Sequence, residues 1–268
     1  CEMKKINLAI TGCLGRMGSE LVKSICSNSN YIFSGGFEHP KHPDLGKSFD
    51  ELLSVETNLH IIDDKHEVFK NSNVVIDFTI PDSTLVNLDI CLETKTPLVI
   101  GTTGLSEDIF NKIELISKNV AIFQSSNMSI AVNLLLNATK EFSKLLNANQ
   151  YDVEIAEAHH KNKIDAPSGT AIVLGKAVAE GREENFKDKR SFDRTSSNNP
   201  RKVGDIGFAV TRGGEIAGEH TVSFIGKDDQ IQLIHKANNR SIFVDGAIKA
   251  ADWLIKQKNG FYTMKDIL

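Results

Sequence analysis

Residues 6–18 read INLAITGCLGRMG, a short apolar run that breaks at Gly12 and passes through Gly15 and Gly18 into an amphipathic stretch ending near Cys26. A second apolar run, YIFSGGFE, ends in the acid Glu38. Strand, glycine-rich turn, helix, strand and terminal acid make a βαβ unit, and such a unit needs a parallel sheet with covering helices. Gly12 permits the tight turn. Gly15 lets a pyrophosphate approach the backbone, where free helix N–H groups and the helix dipole stabilise it. Gly18 lets the helix lie close to the sheet. Glu38, 20 residues after Gly18, is placed to accept hydrogen bonds from a ribose. The spacing is GxxGxxG, one residue longer than the usual fingerprint. The competing reading is an α/β domain whose glycines only serve turns. Arg16 reads either as a phosphate contact or as an ordinary exposed residue of the first turn.

The pattern then repeats. VVIDFT, 74–79, is a strand interrupted only by Asp77, and Pro81-Asp82-Ser83 opens a helix to about Glu93. PLVIGTTG, 97–104, is the next strand and its exit loop, Ser106 caps a helix, and VAIFQSSNM, 120–128, is another strand. Strands alternating with helices predict a Rossmann-type, doubly wound parallel α/β sheet, whose ligands gather outside the carboxyl ends of the strands. Those ends are Gly12, Cys13, Leu14, Gly15, Arg16 and Met17; Glu38; Phe78 and Thr79; Gly101, Thr102 and Thr103; and Ser125, Ser126, Asn127 and Met128. Residues 39–73 read as a polar loop. His39 and His42 lie among prolines with no third ligand, so no metal site is expected there or elsewhere.

From Ser129 the pattern changes. SIAVNLLLNATKEFSKLLNA has helical periodicity, DVEIAEAHH reads as a strand, and residues 168–180 as a helix. Residues 182–202 are charged and turn-rich, a mobile surface insertion. Three strand runs follow, DIGFAVTR, EHTVSFIG and QIQLIHKA, and their short connections imply antiparallel pairing. They predict a second α+β domain with an open mixed sheet, whose uncovered face implies a homo-oligomer. The helix from about Ser241 to Lys256 is expected to return to the first domain. The predicted division is a dinucleotide-binding domain of 1–128 and 239–268 and a substrate-binding, oligomerising domain of 129–238, hinged near Met128 and Asn239.

Composition narrows the class. With 268 residues, 40% of them hydrophobic, the chain can bury one large or two smaller cores. The net charge of −4 and the mixed-sign KDKR run at 187–190 exclude a nucleic-acid binder. No apolar run spans a bilayer, the start lacks a signal-peptide core, and the four cysteines show no CxxC spacing, so a cytoplasmic protein with free thiols is expected. Met3 precedes the first strand, so Cys1 and Glu2 read as added residues or the end of a trimmed presequence.

The stretch Glu157–Ala171, EAHHKNKIDAPSGTA, carries the chemistry. A hydride acceptor bearing carboxylates needs a proton once the hydride has arrived. His159 titrates near neutrality, and the Lys163 ammonium can donate a proton or stabilise an anion. Neighbours in extended backbone point oppositely, so His159 and His160 have different jobs, one as acid and the other as carboxylate ligand. Ser168, Gly169 and Thr170 open a helix whose free N–H groups can hold a carboxylate. Separately, these features read as a surface histidine pair, a solvated charge run and a helix cap. Together, after a dinucleotide fold, they read as a site.

GCLGRMG, VVIDFT, VIGTTG, EAHHKNKIDAPSGTA, GEHTVSF and HKANNR…GAIKAADWL occur in order over nearly the whole chain, which thereby resembles the 4-hydroxy-tetrahydrodipicolinate reductase (dihydrodipicolinate reductase) family. The resemblance implies a two-domain homotetramer of the diaminopimelate route to lysine. It would use NADH or NADPH to reduce a small dicarboxylate ring compound to tetrahydrodipicolinate, with loss of water. It implies proton transfer by His159 and Lys163, and substrate contacts from His160, Gly169 and Thr170. The cofactor would lie along Gly12–Met17, Glu38, Gly101–Thr103 and Ser125–Met128. His39 stands where NADPH-preferring members often carry arginine, so NADH is expected to serve at least as well as NADPH. The alternatives are another nicotinamide-dependent oxidoreductase and a non-catalytic NAD(P)-binding sensor. Neither requires His159 and Lys163 together.

Overall fold

The computed structural model describes residues 5–195 and 197–268; Cys1, Glu2, Met3, Lys4 and Ser196, with the expectations attached to the first three, lie outside the described residues. The chain forms two compact units, one running to Ile130 and resuming over Ser241–Leu268, the other Ala131–Arg240.

The first unit contains β1 (Ile6–Thr11), α1 (Arg16–Cys26), β2 (Tyr31–Phe37), α2 (Phe49–Leu53), α3 (Lys65–Lys70), β3 (Val74–Asp77), α4 (Pro81–Thr94), β4 (Leu98–Ile100), α5 (Glu107–Ser117) and β5 (Ala121–Gln124). The second holds α6 (Ile130–Leu145, opening at the boundary), β6 (Asp152–His159), α7 (Gly169–Gly181), α8 (Phe186–Lys189), β7 (Arg190–Ser191), β8 (Ile206–Arg212), β9 (Glu219–Ile225) and β10 (Gln230–Lys236). The chain then returns to the first unit with α9 (Ser241–Leu254), β11 (Gly260–Tyr262) and α10 (Met264–Ile267).

The first sheet is six-stranded and parallel throughout, in the order β11-β5-β4-β3-β1-β2. Its strands bury both faces. Leu8, Ile10, Ile76 and Phe123 join one core, with α1 and α9, while Ala9, Val75 and Ile122 join another, with α3, α4 and α5. Apolar side chains on both faces are what a doubly covered parallel sheet requires, and they account for the unbroken apolar runs in the sequence. The strand order reverses between β1 and β3, the switch point at which such sheets bind ligands.

The 39–73 stretch contains α2 and α3, which the loop reading missed. Ser48 and Asp64 accept hydrogen bonds from Glu51 N–H and Glu67 N–H, and Phe49 and Phe69 are fully buried. The capping signals were present, but helices this short show too little periodicity to be seen. β11 and α10 also went unforeseen. Only three residues of β11 pair with β5.

The second sheet is mixed, in the order β10-β9-β6-β8-β7. The expected antiparallel pairing of β8 with β9 is wrong. β6 lies between them, parallel to β8 and antiparallel to β9, while β9 and β10 do form an antiparallel pair. The connection 213–218 is long enough to cross the end of β6. Gly213 N–H donates to the His159 carbonyl (3.0 Å) and Lys161 N–H to that of Gly214 (3.2 Å). The described residues of the 182–202 segment are more structured than a mobile insertion. α8 and β7 lie in it, and the Phe186 and Phe192 rings meet Phe208 edge-on at 6.2 and 5.0 Å.

One face of this sheet buries Val153, Ile155, Ile206, Val222 and Phe224 with Leu135, Leu174 and Val178 of α6 and α7. On the other face Ala156 and Ala209 are exposed, and Ile234 is 53% exposed.

Candidate active site

Alternation along β6 sends Glu157 inward after Val153 and Ile155, and His159 follows on the same face. The Glu157 side chain has no exposed surface. A buried carboxylate needs compensation, and here it comes from three directions. Arg212, paired with His159 in the β6–β8 register, donates Nη1–H to Oε2 (2.7 Å) and Nη2–H to Oε1 (2.8 Å). The Ser168 N–H reaches Oε1 at 2.8 Å, and His159 Nδ1 lies 2.7 Å from Oε2. Burial pushes the Glu157 carboxyl up, but the bonds from Arg212, His159 and Ser168 outweigh it and hold the group below its usual range.

His159 itself is held below the ordinary imidazole range, by burial first. Glu157 opposes the shift, and the charges of Lys163 and Arg212 add to it. His220 stands across from Glu157 in the β6–β9 register, its ring 5.2 Å from that of His159 and at 72° to it. Burial, and then the charge of His159, push His220 down to about 4. It is neutral, and its Nε2 shares a hydrogen bond with Ser168 Oγ at 2.9 Å. The same Oγ caps α7 by accepting from Ala171 N–H at 3.2 Å. Ser168 is thus buried and fully engaged, and its neighbours Gly169 and Thr170 carry the outward side of the helix start. Nothing lies within 4 Å of where a Gly169 Cβ would be.

Lys163 forms an ion pair with Asp165 at 2.8 Å, and its charge, first through that hydrogen bond, holds the Asp165 carboxyl below the usual range. His160 turns away from His159. Its Nε2 lies 3.3 Å from Arg240 Nη2, and His160, Glu215, Asn238 and Arg240 line a cavity of about 450 Å³. The second unit therefore gathers an imidazole fixed on a buried carboxylate, an ammonium, a guanidinium and an open helix start. Such a set can bind carboxylates and move a proton.

The first unit supplies a cradle. Gly12 has φ +65, and a Cβ there would sit 2.8 Å from Thr79 Cγ2. A Cβ on Gly18 would overlap the Gly12 carbonyl oxygen, so α1 meets the turn at backbone distance. Glu38 Oε1 accepts from the Leu14 N–H at 2.8 Å, which ties the acid after β2 to the glycine turn. Gly15 and Arg16 are exposed and Leu14 and Met17 half-buried. Cys13, Thr102 and Met128 are buried. The Phe78 ring lies over Gly101. Asp77, the polar break in β3, accepts hydrogen bonds from Thr11 (2.8 Å), Thr79 (2.6 Å) and Thr84 (2.7 Å), fastening the ends of β1 and β3 to α4. Thr103 and Ser126 lie in the loops after β4 and β5, and there Ser125 Oγ donates to the Asn127 carbonyl at 2.7 Å. Glycines that no larger residue could replace, at helix and strand ends facing one edge, fit a dinucleotide pyrophosphate.

Among the described residues no three His, Cys, Asp or Glu side chains gather where a metal ion could be held, and no helix is long and apolar enough to cross a membrane. Glu157, Arg212, His220 and Arg240 escaped the sequence reading. An acid on the apolar face of a strand was the available sign for Glu157. Arg212 and His220 show themselves only once the strand order is known.

A family model described as "Dihydrodipicolinate reductase, N-terminus" matches residues 6–128, and one described as "Dihydrodipicolinate reductase, C-terminus" matches residues 131–268. The 4-hydroxy-tetrahydrodipicolinate reductase of Polynucleobacter necessarius is 40% identical over 263 residues, covering 98% of each chain. That of Nitrosospira multiformis is 38% identical over 266 residues, covering 99% of this chain and 98% of its own. Among solved structures, a dipicolinate-bound dihydrodipicolinate reductase from Paenisporosarcina sp. TG-14 superposes with a TM-score of 0.76 at 24% identity, covering 99% of this chain and 100% of that one. A probable dehydrogenase from Thermotoga maritima shares the fold at a TM-score of 0.61 and 12% identity, covering 97% and 92%.

Proposed function

The chain belongs to the dihydrodipicolinate reductase family, and from that membership we propose that it reduces 4-hydroxy-tetrahydrodipicolinate to tetrahydrodipicolinate, with loss of water, in the diaminopimelate route to lysine. The reduced nicotinamide, when bound, supplies the hydride. This chain's residues supply the rest. Gly12–Met17, Gly101–Thr103 and Ser125–Met128 frame the dinucleotide, and Glu38 accepts from its ribose. The Gly169 and Thr170 helix start and His160 hold the substrate carboxylates, with Arg240 as a further cation. His159 and Lys163 deliver the proton. The observation that carries this reading is the His159 ring seated on buried Glu157, its basicity depressed by burial first and then by the charges of Lys163 and Arg212. A bound dicarboxylate opposes that depression and favours the protonated, donating form.

NADH is expected to serve at least as well as NADPH. Glu38 faces the glycine turn and would repel a 2′-phosphate, and the next residue, His39, is occupied locally, its Nδ1 accepting from Lys41 N–H at 3.2 Å. The test is steady-state oxidation of each reduced cofactor with freshly made aldehyde–pyruvate condensation product. Turnover with NADH supports the assignment. Tight NADH binding without oxidation overturns it, and a strong NADPH preference overturns the cofactor assignment alone.

The uncovered face of the second sheet, with Ala156, Ala209 and Ile234 outward, supports assembly as a homotetramer through this unit. Sedimentation at micromolar concentration should return the mass of four chains; a monomer would refute the assembly.

A further inference from the structure

We propose that Glu157, clamped by Arg212 and the Ser168 N–H, is a positioning residue that fixes His159 in one tautomer, with the Nδ1 proton on Glu157 and Nε2 as the atom that exchanges the catalytic proton. This rests on His159 being the proton donor.

A carboxylate only accepts hydrogen bonds, so the 2.7 Å contact requires a proton on His159 Nδ1 as long as Glu157 is ionised. Arg212 secures the ionised state by occupying both carboxylate oxygens in a fork. Ser168 ties the same carboxylate to the start of α7, so imidazole and helix start share one anchor. Nε2 lies on the Gly218 side, 3.1 Å from where a Cβ of that residue would stand, so glycine leaves this edge uncovered.

The groups facing His159 are Glu157 from its own strand, Arg212 from β8, His220 from β9 with His235 of β10 behind it, and Lys163 with Asp165 from the loop. His220 is neutral and its Nε2 is engaged with Ser168 Oγ, so it adds no charge beside His159. The imidazolium breaks its Nε2–H bond, and that proton forms the new C–H or N–H bond of the substrate. Nδ1–H stays in place, Glu157 stays a carboxylate, and solvent restores the Nε2 proton.

Two measurements test this. In the wild-type protein at a pH where His159 is neutral, two-bond ¹H–¹⁵N correlation of its ring, assigned by its absence in His159→Gln, should show the Nδ1–H tautomer. The Nε2–H tautomer would overturn the proposal, whatever any variant does. The alkaline limb of the kcat–pH profile should then move in opposite directions in two variants. Glu157→Gln removes the anion that favours the imidazolium and should move the limb by about one to two pH units toward acid. Arg212→Gln removes a competing cation and, because Glu157 keeps its bonds from His159 and the Ser168 N–H and stays ionised at the pH of that limb, should move it toward alkali. Shifts of the same sign in both, which general loosening would produce, overturn it. If the limb survives in His159→Gln, it is the proton-donor reading that fails, and the tautomer still decides the positioning role.

Discussion

Replacing His159 with glutamine is expected to lower kcat about 10²–10⁴-fold, the usual worth of a positioned general acid, while cofactor binding survives. The reason is separation of tasks. His159 belongs to the Ala131–Arg240 unit, whereas the glycine turn, Glu38 and the loops after β4 and β5 belong to the other. Glutamine fills similar space and can still donate to Glu157, so the buried carboxylate keeps its partners and the fold is spared. What is lost is an imidazole that can carry and release a proton. Lys163→Ala should reduce turnover too, by removing the cation that forms an ion pair with Asp165 at 2.8 Å. Because the Lys163 charge also depresses His159, its loss should move the remaining alkaline limb upward in pH. Absorbance of the reduced cofactor gives kcat, and fluorescence titration gives its affinity. Full turnover in His159→Gln would remove this histidine from the chemistry.

The second large effect is expected from Gly18→Ala. The new methyl would overlap the Gly12 carbonyl oxygen and stand 2.9 Å from the Cys13 Cα, all backbone atoms that cannot rotate aside. Either α1 recoils from the turn or the turn opens. Overpacking of this kind costs about 1–3 kcal/mol, measurable as a lower denaturant midpoint. The larger loss should be in cofactor affinity, about tenfold or more, because a recoiling helix takes its N-terminal N–H groups with it. Unchanged affinity would show that the cradle does not depend on this approach.

The doubly wound sheet was legible because both of its faces are buried, which leaves unbroken apolar runs between glycines and prolines. The second sheet was legible as strands but not as an order, since pairing is decided by residues far apart in the chain. β6 accepts β8 on one side and β9 on the other, and local turn chemistry points the wrong way. Glu154 and Glu157 show the same limit at the site. In sequence they are two acids of one strand. Three positions apart, they face opposite sides of it. Glu154 bonds Arg194 at the surface at 2.7 Å, and Glu157 is sealed beneath His159. Density of titratable groups pointed to His159 and Lys163 as candidates. Arg212 of β8, which clamps the Glu157 carboxylate under His159, and His220 of β9, whose ring meets that of His159, are brought near only by the fold. Asp77 was noticed as a break in β3, but two of its threonine partners, Thr11 of β1 and Thr84 of α4, come from other segments.

The return of the chain to its first unit bears on how the protein is made. β1 to β5 leave the ribosome early, but α9, which covers one face of their sheet, and β11, which closes the β5 edge, come from Ser241–Leu268. Until those residues emerge, an apolar sheet face and an unpaired strand edge stand open, the features that draw nascent chains into aggregation. The inserted unit has all its strands in hand by Arg240 and can close first. The half that begins the chain is thus the last to be completed, and chaperone demand should track the time its sheet waits for those final residues.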